Sequence, residues 1–264
     1  MTTPDVPLRL ELTYELPGTP EQVWDAIATA NGITAWFTPT DLDEREGGVV
    51  RFHMGEDGSS EGTVTGWDPP RRFAYEEPDW AALMGQEGAS VTPLATEFLV
   101  EARSGGTCVV RVVTSAFGTG ADWEQEFFDE MEKGWTPFFE NLRLYLTHFP
   151  GQQVTTLEAA TKLPVAVDTL WPAMLEASGI GEVGQRVELC GVTGDVDRIG
   201  NEQALLRLTA PVPGYLLLFA FGRGEAESSA HVHGYLFSGD APAFVEREQP
   251  LWKAWLESLP VAVS

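Results

Sequence analysis

Basic residues are scarce in this chain of 264: three lysines and thirteen arginines stand against forty Asp and Glu, giving a formal charge of -24. So negative a polymer repels nucleic acid and anionic lipid, which are gripped by Lys and Arg neutralising phosphate. Neither is an expected partner. Cysteine is nearly absent too. Cys108 and Cys190 both sit inside apolar strand-like stretches, which excludes a disulfide-stapled scaffold and makes a reducing cytoplasm the expected location. The start, Met1 to Val6, is polar and broken by Pro4, unlike a secretory leader. No run approaches the roughly 18 uninterrupted apolar residues of a membrane span, and the longest, Tyr215 to Phe221, suits a buried strand. Gly-x-Ser-x-Gly, P-loop and dinucleotide signatures are missing as well.

Apolar and aromatic residues are abundant. A hydrophobic content of 43%, with nine Trp and fourteen Phe, implies packed cores. The acid is unevenly spread: residues 1–150 hold 26 acids and 9 bases (net -17), and residues 151–264 hold 14 and 7 (net -7). This excess reads as solubility or as an acidic docking face for a basic partner.

The chain repeats itself. Glu15-Leu16-Pro17 aligns with Lys162-Leu163-Pro164 at an offset of 147, and the match runs on without a gap through Val23-Trp24 over Leu170-Trp171 to Gly32-Ile33 over Gly179-Ile180. Near the ends, Trp135, Phe138 and Glu140 fall on Trp252, Trp255 and Glu257 at an offset of 117. The second copy is thus 30 residues shorter between its helices. Pro150-Gly151 marks the seam, predicting domains over 1–150 and 151–264.

Within the first copy, Arg9 to Leu16 alternates polar and apolar, the period of a half-buried strand. Thr19-Pro20-Glu21-Gln22 predicts a capped helix start, and Asn31-Gly32 its stop. From Asp41 to Phe117 strands follow one another, punctuated by turns at Glu46-Gly47-Gly48, Gly55 to Gly58, Asp68-Pro69-Pro70 and Ser104-Gly105-Gly106. Val50, Phe52 and Met54 share one face, as do Cys108, Val110 and Val112; Arg51 and Arg111 point the other way. An apolar sheet face must be covered. Trp123, Phe127, Met131, Trp135, Phe138, Leu142 and Tyr145, spaced by three and four, predict the cover, a long helix that Gly134 and Pro137 should bend. The expected class is α+β: tandem units of an antiparallel sheet gripping a C-terminal helix.

An ordered set of motifs carries a resemblance. Thr19-Pro20-Glu21-Gln22-Val23-Trp24, Trp36-Phe37, Gly62-Thr63-Val64, Trp67-Asp68-Pro69-Pro70-Arg71-Arg72-Phe73, Gly105-Gly106-Thr107 and Lys133-Gly134-Trp135 resemble the START-like (SRPBCC) superfamily, and most its branch related to the activator of Hsp90 ATPase. The resemblance covers residues 8–147 and implies a helix-grip (START/Bet v 1-like) fold: two short helices after strand one, then a curved sheet and a long helix over a cavity. The superfamily uses that cavity for lipids, sterols, hormones and polyketides, and sometimes for catalysis. The second copy departs from the pattern: Pro172 replaces Asp25, and Val183-Gly184 replaces Trp36-Phe37. Its cavity is expected to be small or collapsed, with a structural or dimerising role.

Trp36, Phe52, Phe98, Met131 and Trp135 are the candidate ligand-binding wall, a set that reads equally as plain core. No catalytic residue is assigned. His53 shares an outward face with Arg51, and the carboxylates Asp41, Asp43, Glu44, Glu124, Glu126, Asp129 and Glu130 read as solvated surface. His231-Val232-His233 has usable metal-ligand spacing but lacks a third ligand, so the pair reads as solvent-facing, with no metal and no cofactor. The leading expectation is a non-enzymatic binding module for a small hydrophobic ligand. The alternatives are a chaperone-associated protein-interaction module and a cyclase-like enzyme acting on an aromatic or polyketide-like substrate. The enzyme needs a charged side chain inside the cavity, and strand phasing turns most of them out.

Overall fold

The computed structural model describes residues 5–54, 58–222 and 227–261, with backbone alone at 83 and 84, so the expected turn at Gly55 to Gly58 lies mostly outside the described residues. Two compact units divide the chain, Met1–Gln152 and Gln153–Ser264.

The first unit opens with strand β1 (Val6–Pro17), followed by helices α1 (Pro20–Ala28) and α2 (Ala30–Thr34). The capping box forms as expected: Gln22 N donates to Thr19 Oγ1 (3.3 Å) and Thr19 N to Gln22 Oε1 (2.9 Å). Gly32 is not a stop. Thr29 breaks the helix in extended backbone, and its Oγ1 accepts from Gly32 N (3.0 Å) to start α2. Gly32 serves packing, because a Cβ there would lie 1.9 Å from the Asp25 carbonyl oxygen.

Six more strands complete one antiparallel sheet: β2 (Thr40–Leu42), β3 (Val49–His53), β4 (Ser59–Asp68), β5 (Arg72–Glu77), β6 (Leu94–Arg103) and β7 (Thr107–Gly118). Their order is β1-β7-β6-β5-β4-β3-β2, so the first strand closes on the last. A bulge between Val64 and Gly66 sharpens the local twist. Ser104-Gly105-Gly106 makes the expected hairpin, with both glycines at positive φ and Arg103 paired to Thr107. Outward arginines find acids: Arg51 pairs with Glu61, and Arg111 with Glu11.

Helix α3 (Asp122–His148) runs unbroken through Gly134 and Pro137 and lies on the apolar face of the sheet. Phe139 stacks on Tyr14 of β1 at 3.9 Å between ring centroids, and Trp135 meets Phe98 of β6 edge-on at 6.0 Å. The wide aromatic stripe is the reason the helix docks there.

The second unit repeats the plan: β8 (Thr155–Leu163), α4 (Val167–Ser178), β9 (Arg186–Leu189), β10 (Val192–Gly200), β11 (Gln203–Ala210), β12 (Gly214–Phe221), β13 (Ser228–Leu236) and α5 (Ala241–Glu257). Its order, β8-β13-β12-β11-β10-β9, again closes first strand on last, with six strands against seven. Helices α1 and α4 begin at Pro20 and Val167, the same 147 residues apart as the sequence match. The core is largely aliphatic, with Leu170, Met174, Leu206, Leu216, Val232 and Leu256 gathered around a fully buried Trp252.

Candidate functional site

Between α3 and its sheet lies a cavity of about 210 Å³. Helix α3 lines it with Phe127, Met131, Gly134, Trp135 and Phe138, neighbours along one helical face. From the sheet, alternate positions supply Phe52 of β3 and Met54 just beyond it, Tyr75 and Glu77 of β5, and Leu94 and Thr96 of β6. Phe37, just past α2, and Trp80, in a short 3-10 turn (Trp80–Met84), complete the lining.

Of the five residues expected here, Phe52, Met131 and Trp135 stand on the wall. Trp36 does not. Its ring is 1% exposed, its Nε1 donates to the Ala26 carbonyl oxygen at 2.9 Å, and it packs behind the wall against Phe37 and Phe139. Phe98 is likewise core, held between Phe73 and Trp135 with centroids 6.1 and 6.0 Å away.

The wall also carries polar groups that strand phasing missed. Glu77 is only 8% exposed, and its Oε1 accepts from the buried Ser60 hydroxyl. Burial raises its carboxyl above the ordinary carboxylate range, against the lowering effect of that hydrogen bond. Burial also holds the Tyr75 phenol well above its usual range, helped by the nearby Glu77 charge. Trp80 Nε1 donates to the Thr92 carbonyl oxygen (2.9 Å), whereas the buried Trp135 Nε1 has no hydrogen-bond partner among the described residues. Among the described residues, the lining contains no Lys, Arg or His.

Elsewhere, His53 faces outward and meets Asp41 at 2.9 Å. Glu124, expected on a solvated face, is instead 1% exposed, because the loop before α3 folds its donors onto the carboxylate. His231 and His233 are half-buried rather than solvent-facing: Phe219 stacks on the first at 4.5 Å and meets the second edge-on at 5.0 Å. Among the described residues, no group of three His, Cys, Asp or Glu could hold a metal ion. No described helix is long and apolar enough to cross a membrane.

Burial first, and the charge of His231 second, depress His233 to about 4, although Glu158 stands opposite it in register. The unfolded chain takes up a proton near pH 6.5 that the folded chain refuses until about pH 4. Stability contributed by the neutral ring is therefore present above about 6.5 and lost on acidification toward 4. An NMR titration of this imidazole is expected to give a midpoint near 4; a midpoint above 6 would contradict the burial argument.

The chain is similar to several solved structures. Protein MLL2253 from Mesorhizobium loti is 20% identical over 54% of this chain and 98% of its own, with a TM-score of 0.46. The Aha1 dimer from Colwellia psychrerythraea is 19% identical over 53% and 96%, at 0.42. The di-domain ARO/CYC BexL from the BE-7585A biosynthetic pathway is 13% identical over 95% and 94%, at 0.45. No curated protein matches the chain. Residues 17–147, which lie within the first unit, match the family described as Activator of Hsp90 ATPase homolog 1-like protein.

Proposed function

We propose that the first unit is a non-enzymatic binding module that holds one small, flat, largely apolar molecule between α3 and the sheet. The observation that carries this is the cavity: 210 Å³ walled by seven aromatic side chains, with a few polar groups set among them. An apolar cavity of about 150 Å³ accommodates benzene, so this one suits a fused two-ring system. Ten or so heavy atoms at about 0.5 kcal/mol each imply a Kd of roughly 10–500 μM.

Naphthalene derivatives at about thirty times Kd should therefore stabilise the protein by about 2 kcal/mol, raising Tm by several degrees. Gly134 offers the matching control. Among the described residues, no atom beyond its own stretch of helix lies within 4 Å of a Cβ built there, so a leucine can enter without disturbing the backbone. Gly134→Leu is expected to cut probe affinity at least tenfold and to stabilise the unliganded helix by about 0.5–1 kcal/mol. Equal binding by wild type and G134L would place the ligand elsewhere.

A further inference from the structure

We propose that the cavity is built for an organic cation, an aromatic or quaternary amine whose positive charge lies between the Glu77 carboxyl and the surrounding ring faces. This deepens the binding reading above and rests on it.

A carboxyl group is expensive to place among aromatic rings, and a neutral apolar ligand would make it worse by displacing the last water around it. Among the described residues, the Glu77 carboxyl has one hydrogen-bond partner, Ser60, and no Lys, Arg or His lines the cavity to balance its charge. A bound cation removes that conflict. The rest of the wall suits the same guest, because aromatic faces carry negative quadrupole charge and attract ammonium groups within about 6 Å. Tyr75, on the strand that carries Glu77, contacts Phe52 of β3 at 5.3 Å, and Trp80 follows Glu77 by three residues. The charge of -17 on residues 1–150 draws cations and repels anions before any contact is made.

The contrast is with a protonated Glu77 that simply satisfies Ser60. Tyr75 is the other titratable group on the wall. The elements packed around Glu77 present Phe52 from β3, Ser60 from β4, Leu94 and Thr96 from β6, and Met131 and Trp135 from α3, all uncharged. A pH dependence of cation binding above the ordinary carboxylate range therefore reports Glu77.

The test uses two probes of equal shape, trimethylphenylammonium and tert-butylbenzene, titrated against the full chain by tryptophan fluorescence or calorimetry. At pH 8 the cation is expected to bind at least tenfold more tightly than the hydrocarbon. Glu77→Gln, which keeps the size and an acceptor for Ser60, should bring the ratio near one, by weakening the cation and leaving the hydrocarbon bound at least as tightly as in wild type. In wild type, cation affinity alone should fall as the pH drops through the raised Glu77 range; any slope left in E77Q reads the surface acids. The wild-type series needs no variant to fold. Equal or weaker cation binding in wild type, or a ratio unmoved by E77Q, overturns the proposal while leaving an apolar binding site intact. Failure of both probes to bind removes the binding reading and this one together.

Discussion

Trp252→Ala should destabilise the second unit by about 3–5 kcal/mol, the cost of emptying a large core site. Trp252 is 0% exposed and sits on α5 among the aliphatic side chains that close the core from both sides. Trp252→Phe should cost far less than its lost volume suggests. The buried Trp252 Nε1 has no hydrogen-bond partner among the described residues, so phenylalanine removes an unsatisfied donor worth about 1–3 kcal/mol while giving up part of a ring. Trp36 supplies the opposite case: it is equally buried, but its Nε1 donates to the Ala26 carbonyl, which would be orphaned. Urea denaturation of W252A, W252F and W36F is expected to rank W252F as the mildest. If W36F is milder, the orphaned-donor argument is wrong.

The architecture was legible where one local rule acted alone. Thr19 and Gln22 cap each other within four residues, so no distant contact was needed to place the start of α1. The stripe from Trp123 to Tyr145 has one period throughout, and it became one helix, α3, of 27 residues. The repeat was readable because the helix starts kept their spacing although the strands between them diverged. Gly32 failed for the converse reason. Glycine after Asn is a local stop signal, but here the residue answers to the Asp25 carbonyl seven residues back, a contact between two helices. Close approach and conformational freedom leave the same letter in the sequence.

The site was less legible. Aromatic residues crowd the first unit, and periodicity names the face they occupy without telling wall from core. Trp36 and Trp135 illustrate this: both face inward, yet only Trp135 borders the cavity. Glu77 could have been found. Phe73 and Tyr75 alternate inward along β5, and one further step of two lands on Glu77. A carboxylate at an inward position contradicts the usual strand pattern, so alternation of polar and apolar residues passes over it. Such contradictions concentrate at functional sites, which is why this one carries weight in the binding reading.

Glu124→Ala is expected to cost about 2–4 kcal/mol. The 1% exposed carboxylate accepts from Thr119 N (2.9 Å), Thr119 Oγ1 (3.0 Å), Gly120 N (2.9 Å) and Ala121 N (3.2 Å), at the third position of α3. It satisfies backbone donors of the loop that leads into the helix, and its negative charge lies favourably at the positive end of the helix dipole. Gly118 belongs to the same device, since a Cβ there would meet Glu124 Oε2 at 2.2 Å; Gly118→Ala should displace the carboxylate and share much of the loss. Glutamine is no substitute, because its amide nitrogen would face backbone N–H groups. The pH dependence separates charge from shape. Desolvation pushes the Glu124 carboxyl up, but the four donors together outweigh it and hold it below the ordinary value. A depressed folded-state carboxyl contributes stability that is present above the unfolded value of about 4.3 and lost as the pH falls through the folded one. Glu77, raised by burial, contributes with the opposite sign, losing stability as the pH climbs through its folded value. Urea midpoints measured from pH 7 down to 3 should therefore converge for wild type and E124Q at the acid end, whereas E77Q should gain on wild type toward neutral pH. Parallel curves for E124Q and wild type would mean that the carboxylate's charge is not what secures the start of α3.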